Sequence, residues 1–291
     1  MKDNHTYGII GAGAIGQALG SVLRRANREV VFWDIEESKC TVDSPQELVR
    51  NSDVVILAIP SQAVRQSLQK IKADVDQDKV VLTVAKGVEK GFKTMAVVLE
   101  EELSDSVTFG IISGPMLAGE LMANEGGYGV VASTAKLTTI INDCKAGGLT
   151  LTESSELVGV ATCGVLKNIY ALALGVSDGV DLGINTKAAL TADALKEMAA
   201  ILHQLQLPTG LAYEHCGLGD LLATGWGEAS YNHRIGEEIG SGIRSNLSGE
   251  GLNALMEIPH VIEIADFPIV SGLHHIIVNR APAEELGDIV T

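Results

Sequence analysis

Cationic side chains are scarce: Lys and Arg number 21 against 37 Asp and Glu, which leaves a formal charge of −16. A summed negative field repels phosphate backbones and anionic membrane surfaces, so no nucleic-acid partner and no membrane partner is expected, and an anionic ligand would need a local basic pocket. Cysteines are few and scattered, at Cys40, Cys144, Cys163 and Cys216, with no CxxC or Cys/His metal spacing. That pattern excludes a disulfide scaffold and fits a reducing cytoplasm. The 7 histidines form no HExxH pair, so no metal is assigned. No run of 18 apolar residues occurs, and the chain start reaches an apolar strand at Tyr7 without a signal-peptide core, so neither membrane spanning nor export is expected. A Ser-His-Asp signature is also missing, which withdraws support from nucleophilic hydrolysis.

What is present is apolar and alternating. Hydrophobic residues make up 46% of 291 positions and charged residues 20%, enough to bury a core, at a length that favours two domains. Short β-branched runs at 7–10, 29–33, 54–59, 79–84, 107–112 and 129–132 alternate with helical patterns, as in βαβ units with a parallel sheet. Beyond about Glu153 the strands give way to Ala- and Leu-rich stretches of helical period at 158–176, 187–206, 219–224, 231–239, 251–264 and 269–278. The fold class expected is α/β: an N-terminal dinucleotide-binding domain with a mostly parallel sheet over 1–153, then an all-helical domain over 154–291.

The first run leads into Gly11-Ala-Gly13-Ala14-Ile15-Gly16 at the start of a helix, and Asp34 ends the second run. This is the Rossmann fingerprint in its proper setting. Gly11 permits the tight turn, Gly13 lets backbone amides approach a pyrophosphate, and Gly16 allows close helix–strand packing, while the helix N-terminus stabilises the negative charge. Asp34 would accept from the adenosine ribose hydroxyls and repel a 2′-phosphate, which favours NAD over NADP. In open α/β sheets ligands lie beyond the carboxyl ends of strands, where Pro60-Ser61, Ala85-Lys86-Gly87 and Ser113-Gly114-Pro115 fall. Lys86 is thereby aimed at the cofactor crevice.

Together with these strings, Leu166-Lys-Asn168, Gly183-Ile-Asn-Thr-Lys-Ala-Ala189, Gly217-Leu-Gly-Asp220, Ser230-Tyr-Asn-His-Arg234 and Gly249-Glu-Gly251 occur in an order that resembles the NAD(P)-dependent glycerol-3-phosphate dehydrogenases. The resemblance spans nearly the whole chain. It implies reversible reduction of dihydroxyacetone phosphate in the cytoplasm by a homodimer with NAD as cofactor and a phosphorylated small molecule as substrate. By motif, Lys167 matches the catalytic lysine, Asp220 the carboxylate that tunes it, and Lys86 a lysine meeting cofactor and substrate. Asn168, Thr224, Gly114, Ser230 and Asn232 match substrate-side positions. Ala118 and Glu250 match cofactor-side positions, joining Gly11, Gly13, Ala14, Ile15, Gly16, Asp34 and Pro60. A lysine flanked by Val165, Leu166 and Ile169 also suits proton transfer on physical grounds, since desolvation lowers its pKa.

The pattern departs from the family at three places. The arginine of the phosphate-binding string is Tyr231, the hydroxyl residue after Gly-Pro is Met116, and the segment after the second strand is short. Losing a bidentate phosphate clamp is not conservative, and Arg234 is the nearest compensating cation. Two alternatives therefore stay open: a dehydrogenase of another small hydroxy acid or phosphorylated alcohol, and a catalytically silent NAD-binding sensor.

Overall fold

A computed structural model describes residues 5–227, 230–243 and 247–289. β1 (Thr6–Ile10) passes through the glycine turn into α1 (Ala14–Arg25), and β2 (Glu29–Trp33) follows. Ala18, Leu19, Val22 and Leu23 make the buried face of α1, and Arg24 and Arg25 occupy its last turn, where the helix dipole favours cations. Next come α2 (Pro45–Arg50), whose N-cap Ser44 accepts from the Glu47 amide, then β3 (Val54–Leu57), α3 (Ser61–Ile71) and β4 (Val80–Thr83). A short ribbon of β5 (Val88–Glu89) and β6 (Lys93–Thr94) precedes α4 (Met95–Glu102), β7 (Thr108–Ser113), α5 (Ala118–Ala123), β8 (Gly127–Ser133), α6 (Thr138–Ala146) and β9 (Leu149–Ser154). Helices then take over: α7 (Leu157–Gly179), α8 (Ile184–Gln204), α9 (Asp220–Gly225), α10 (Tyr231–Gly240), α11 (Glu250–Glu257) and α12 (Pro268–Val278).

Seven strands form one sheet in the order β2-β1-β3-β4-β7-β8-β9. Its pairs are parallel except β7 with β8. Every residue of β3 and β4 is buried, which is why these runs read as continuously apolar rather than alternating. The expected Rossmann domain with a mostly parallel sheet is present. β9 is an edge strand that sequence patterning passes over: Leu149 and Leu151 are buried while Thr150 and Thr152 face out.

The chain divides into two compact units, Met1–Ala85 with Met95–Ala161, and Lys86–Thr94 with Thr162–Thr291. The boundary read from composition at 153/154 falls at the end of β9. The second unit, helical apart from the β5–β6 ribbon, is organised around α7. By length and composition α7 could cross a membrane, but 89% of its most apolar window is buried inside the protein. It is a core helix. Against it α10 packs backbone to backbone: a methyl group on Gly175 would strike the carbonyl oxygen of His233, and one on Gly236 that of Leu172. Gly179 and Gly240 repeat the contact one turn on.

Candidate active site

In the first unit the glycine turn is built from close contacts. Gly11 has φ +101°, a conformation that a side chain would strain, and a methyl on Gly16 would run into the Gly11 carbonyl oxygen. Beside Gly13 nothing lies within 4 Å of where a Cβ would stand. As Gly13 is the N-cap of α1, no side chain caps the first amides of that helix, which leaves them available to an anion. Asp34 Oδ2 accepts from the Ala12 amide at 2.6 Å and Asp34 Oδ1 from the Glu36 amide at 3.0 Å. The carboxylate is thereby fixed beside the turn, and its remaining lone pairs can still receive ribose hydroxyls. A cleft of about 630 Å³ next to it is lined by Trp33, Asp34, Ile35, Glu37, Cys40 and Thr41. Ile35 is 91% exposed there, an apolar surface suited to a base. These features fit a dinucleotide.

The second unit gathers side chains from distant parts of the chain. Lys167 lies mid-way along α7 among the buried Val165, Leu166 and Ile169, and is itself 6% exposed. Its Nζ donates to Thr224 Oγ1 at 2.8 Å and stands 3.2 Å from Asp220 Oδ1. Thr224 Oγ1 in turn donates to Asp220 Oδ1 at 3.1 Å, and Lys86 Nζ donates to Asp220 Oδ2 at 2.5 Å. Asp220 heads α9 directly after a widened π-type turn, His215–Gly219, a local distortion that re-aims the residue following it. One buried carboxylate thus holds two lysines, and the trio carries net positive charge within a chain of formal charge −16.

Burial pushes the Lys167 ammonium down, and nearby Lys86 adds to this while Asp220 opposes it, leaving the pKa at about 8. Burial pushes the Asp220 carboxyl up, but Lys167 and Lys86 together pull harder and hold it below the ordinary carboxylate value. A lysine with a pKa of about 8 beside a carboxylate whose own pKa is held down is equipped to give and take a proton.

A chain of amides extends the cluster. Asn168 Nδ2 donates to the Lys86 carbonyl at 2.9 Å, Asn232 Nδ2 to Asn168 Oδ1 at 2.9 Å, and the Gly251 amide to Asn232 Oδ1 at 3.0 Å. Lys86, Lys167, Asn168, Asp220, Thr224 and Asn232 are therefore contiguous, and Glu250 begins the helix that Gly251 anchors. Ser230 caps α10, its Oγ accepting from the His233 amide at 3.2 Å. Arg234 lies apart from the amide chain: its guanidinium sits over the Tyr231 ring at 5.2 Å from the centroid. Tyr231 is 52% exposed. In the first unit Gly114 directly follows β7 and packs against Gly129, Ala118 begins α5, and Pro60 precedes α3 as its N-cap. Met116 is packed into the core of that unit. Cys163 is fully buried, and its hydrogen bond with Cys216, then burial, push its thiol up, so it is inert packing.

Sequence reasoning passed over one group. Asp178, Lys187 and His233 meet on a single carboxylate oxygen, with Lys187 also over the Trp226 indole. Lys187 stands in the quoted Gly183–Ala189 string, where its position in the first turn of a helix was the available signal.

Known proteins resemble this chain over most of its length. Residues 156–288 match the family described as NAD-dependent glycerol-3-phosphate dehydrogenase C-terminus, and residues 38–138 match the corresponding N-terminus. A glycerol-3-phosphate dehydrogenase [NAD(P)+] of Thermoanaerobacter sp. (strain X514) is 34% identical over 280 residues, covering 88% of this chain and 82% of the relative. Its counterpart in Staphylococcus carnosus is 28% identical, with 95% of each chain covered. Among solved structures, glycerol-3-phosphate dehydrogenase from Coxiella burnetii superposes with a TM-score of 0.88 at 26% identity, over 99% of this chain and 98% of that one.

Proposed function

This chain belongs to the NAD(P)-dependent glycerol-3-phosphate dehydrogenase family, oxidoreductases that interconvert dihydroxyacetone phosphate and glycerol 3-phosphate, and from that premise we propose which of its side chains carry the reaction. The observation that carries the reading is Lys167, buried, about 8 in pKa, and tied to Asp220 and Thr224. The nicotinamide cofactor supplies or takes the hydride. Lys167 gives its proton to the carbonyl oxygen as that oxygen becomes an alkoxide, and recovers it from the hydroxyl in the reverse direction. An ammonium has three donors; Thr224 and Asp220 engage two of them, and the third is directed to the substrate oxygen. Asp220 keeps Lys167 and Lys86 together despite their mutual repulsion. Asn168 and Asn232 orient the rest of the substrate, and the net positive charge of the lysine cluster favours its phosphate.

Cofactor preference follows from the first unit. Asp34, with Glu37 on the same cleft, favours NAD(H) over NADP(H), because a 2′-phosphate would meet carboxylates. The four free cysteines support a cytoplasmic location, and the homodimer is carried from the family resemblance. The test is spectrophotometric: NADH oxidation with dihydroxyacetone phosphate against unphosphorylated dihydroxyacetone and small keto acids. Turnover confined to the phosphorylated ketone is expected. The Tyr231 departure makes the unphosphorylated ketone the informative arm, since preference for it would overturn the substrate assignment. No turnover with any of them would leave an NAD-binding sensor.

A further inference from the structure

Asp178 and Lys187 break a local rule, each at the wrong end of its helix. Asp178 lies in the last turn of α7, where the dipole disfavours an anion, and Lys187 in the first turn of α8, where it disfavours a cation. Both are satisfied by each other: Lys187 Nζ donates to Asp178 Oδ2 at 2.6 Å. The same oxygen receives His233 Nε2 at 2.7 Å, from the first turn of α10. Lys187 is 8% exposed and its ammonium lies 4.9 Å from the centroid of the Trp226 ring, whose Nε1 donates to Thr191 Oγ1 at 3.2 Å. One carboxylate oxygen therefore joins the end of α7, the start of α8 and the start of α10.

The packing explains why such a joint is required. Gly175 and Gly179 of α7 meet Gly236 and Gly240 of α10 backbone to backbone. That contact sets how far apart the two helices are. It offers few side-chain ridges, and ridges in grooves are what normally fix sliding and rotation. Directional bonds at the end of the seam must supply both. Asn232 precedes His233, and successive residues are about 100° apart around a helix, so a rotation that releases His233 from Asp178 also carries Asn232 away from Asn168.

We propose that Asp178, acting through His233 and braced by Lys187, is a positioning residue that sets the rotation of α10 and so holds Asn232 against Asn168 on the substrate side of the site. The proposal rests on the dehydrogenase reading above. It concerns the substrate alone, because the glycine turn and Asp34 belong to the first unit.

The test measures KM for dihydroxyacetone phosphate, kcat, and the dissociation constant of NADH by fluorescence for the wild type, His233→Ala, His233→Gln and Asp178→Asn, with thermal unfolding of each followed by circular dichroism. His233→Ala is expected to raise the substrate KM roughly tenfold, the value of one charge-assisted hydrogen bond, with smaller loss in kcat. NADH binding should change less than about twofold. His233→Gln, whose amide can reach the position of Nε2, should recover most of the lost KM. Asp178→Asn, which keeps the shape and one acceptor, should fall between them and carries the test if His233→Ala fails to fold. An unchanged substrate KM, an equal weakening of NADH, or a Gln variant no better than Ala overturns the proposal. Absence of wild-type turnover with dihydroxyacetone phosphate overturns the dehydrogenase reading and the proposal with it; an active wild type with indifferent variants overturns the proposal alone.

Discussion

The two units put ligand chemistry on different materials. In the first, the groups we propose as ligand-binding are backbone: the amides at the start of α1, in a turn formed by Gly11, Gly13 and Gly16 within six consecutive residues. In the second they are side chains drawn from positions 86, 167, 220, 224 and 232. A backbone site is spoiled by adding atoms, and a side-chain site by removing them. The first unit also keeps its ligand groups unburdened, whereas the second buries charge, which costs stability unless each charge is matched. That cost is what tunes Lys167.

The sharpest way to break this contrast is to delete the buried ammonium. Lys167→Ala should lower kcat by about 10²-fold to 10⁴-fold, the usual contribution of a general acid–base group, with NADH affinity almost unchanged; stopped-flow and fluorescence titration separate the two. If NADH affinity fell with kcat, the division of labour between the units would fail. The converse is Gly16→Val, which adds atoms where even a methyl meets the Gly11 carbonyl. NADH binding should weaken by roughly tenfold or more, as overpacking commonly costs 1–3 kcal/mol.

Titration sharpens the comparison further. Lys167 is depressed to about 8, so ketone reduction, which needs the ammonium, should lose kcat/KM about tenfold per pH unit above that value. Alcohol oxidation, which needs the free amine, should gain as pH rises toward the same value and then level off. A reduction rate flat to pH 10 would remove Lys167 from proton transfer. The smallest effect is expected from Asp34→Ser, which should narrow the NADH preference over NADPH by about fivefold, the worth of about 1 kcal/mol of charge repulsion. An unaltered cofactor ratio would move the discrimination elsewhere on the cleft.

How much could be read in advance follows the same division. The glycine turn and the buried strands 54–57 and 80–83 were legible because their requirements are local: a fixed spacing, or burial on both faces. β9 was not, because an edge strand with one wet face and two threonines looks like a linker after Gly147-Gly148. Nor does sequence place Lys86 with α7; that needs Asn168 bonding to the Lys86 carbonyl and Asn253 Nδ2 to the Val88 carbonyl. The lysine and aspartate came from motif order, and the apolar flanks of Lys167 already pointed to a lowered pKa, whereas the gathering of Lys86 and Lys167 on one buried carboxylate came only with the fold. The Asp178 joint left only the faint signal of charges at the wrong helix ends, since its members are brought together by three helices.

The seam between α7 and α10 also bears on how the site behaves when warmed. Most helix pairs are spaced by side chains that hop among rotamers, so their separation is an average over a fluctuating cushion. Here Gly175, Gly179, Gly236 and Gly240 place main chain directly on main chain. Peptide units have no rotamers to excite, and their shape changes little with temperature. The helix bearing Lys167 and the helix bearing Asn232 are therefore separated by something close to a rigid gauge, with main chain rather than rotamer-rich side chains setting the gap between them.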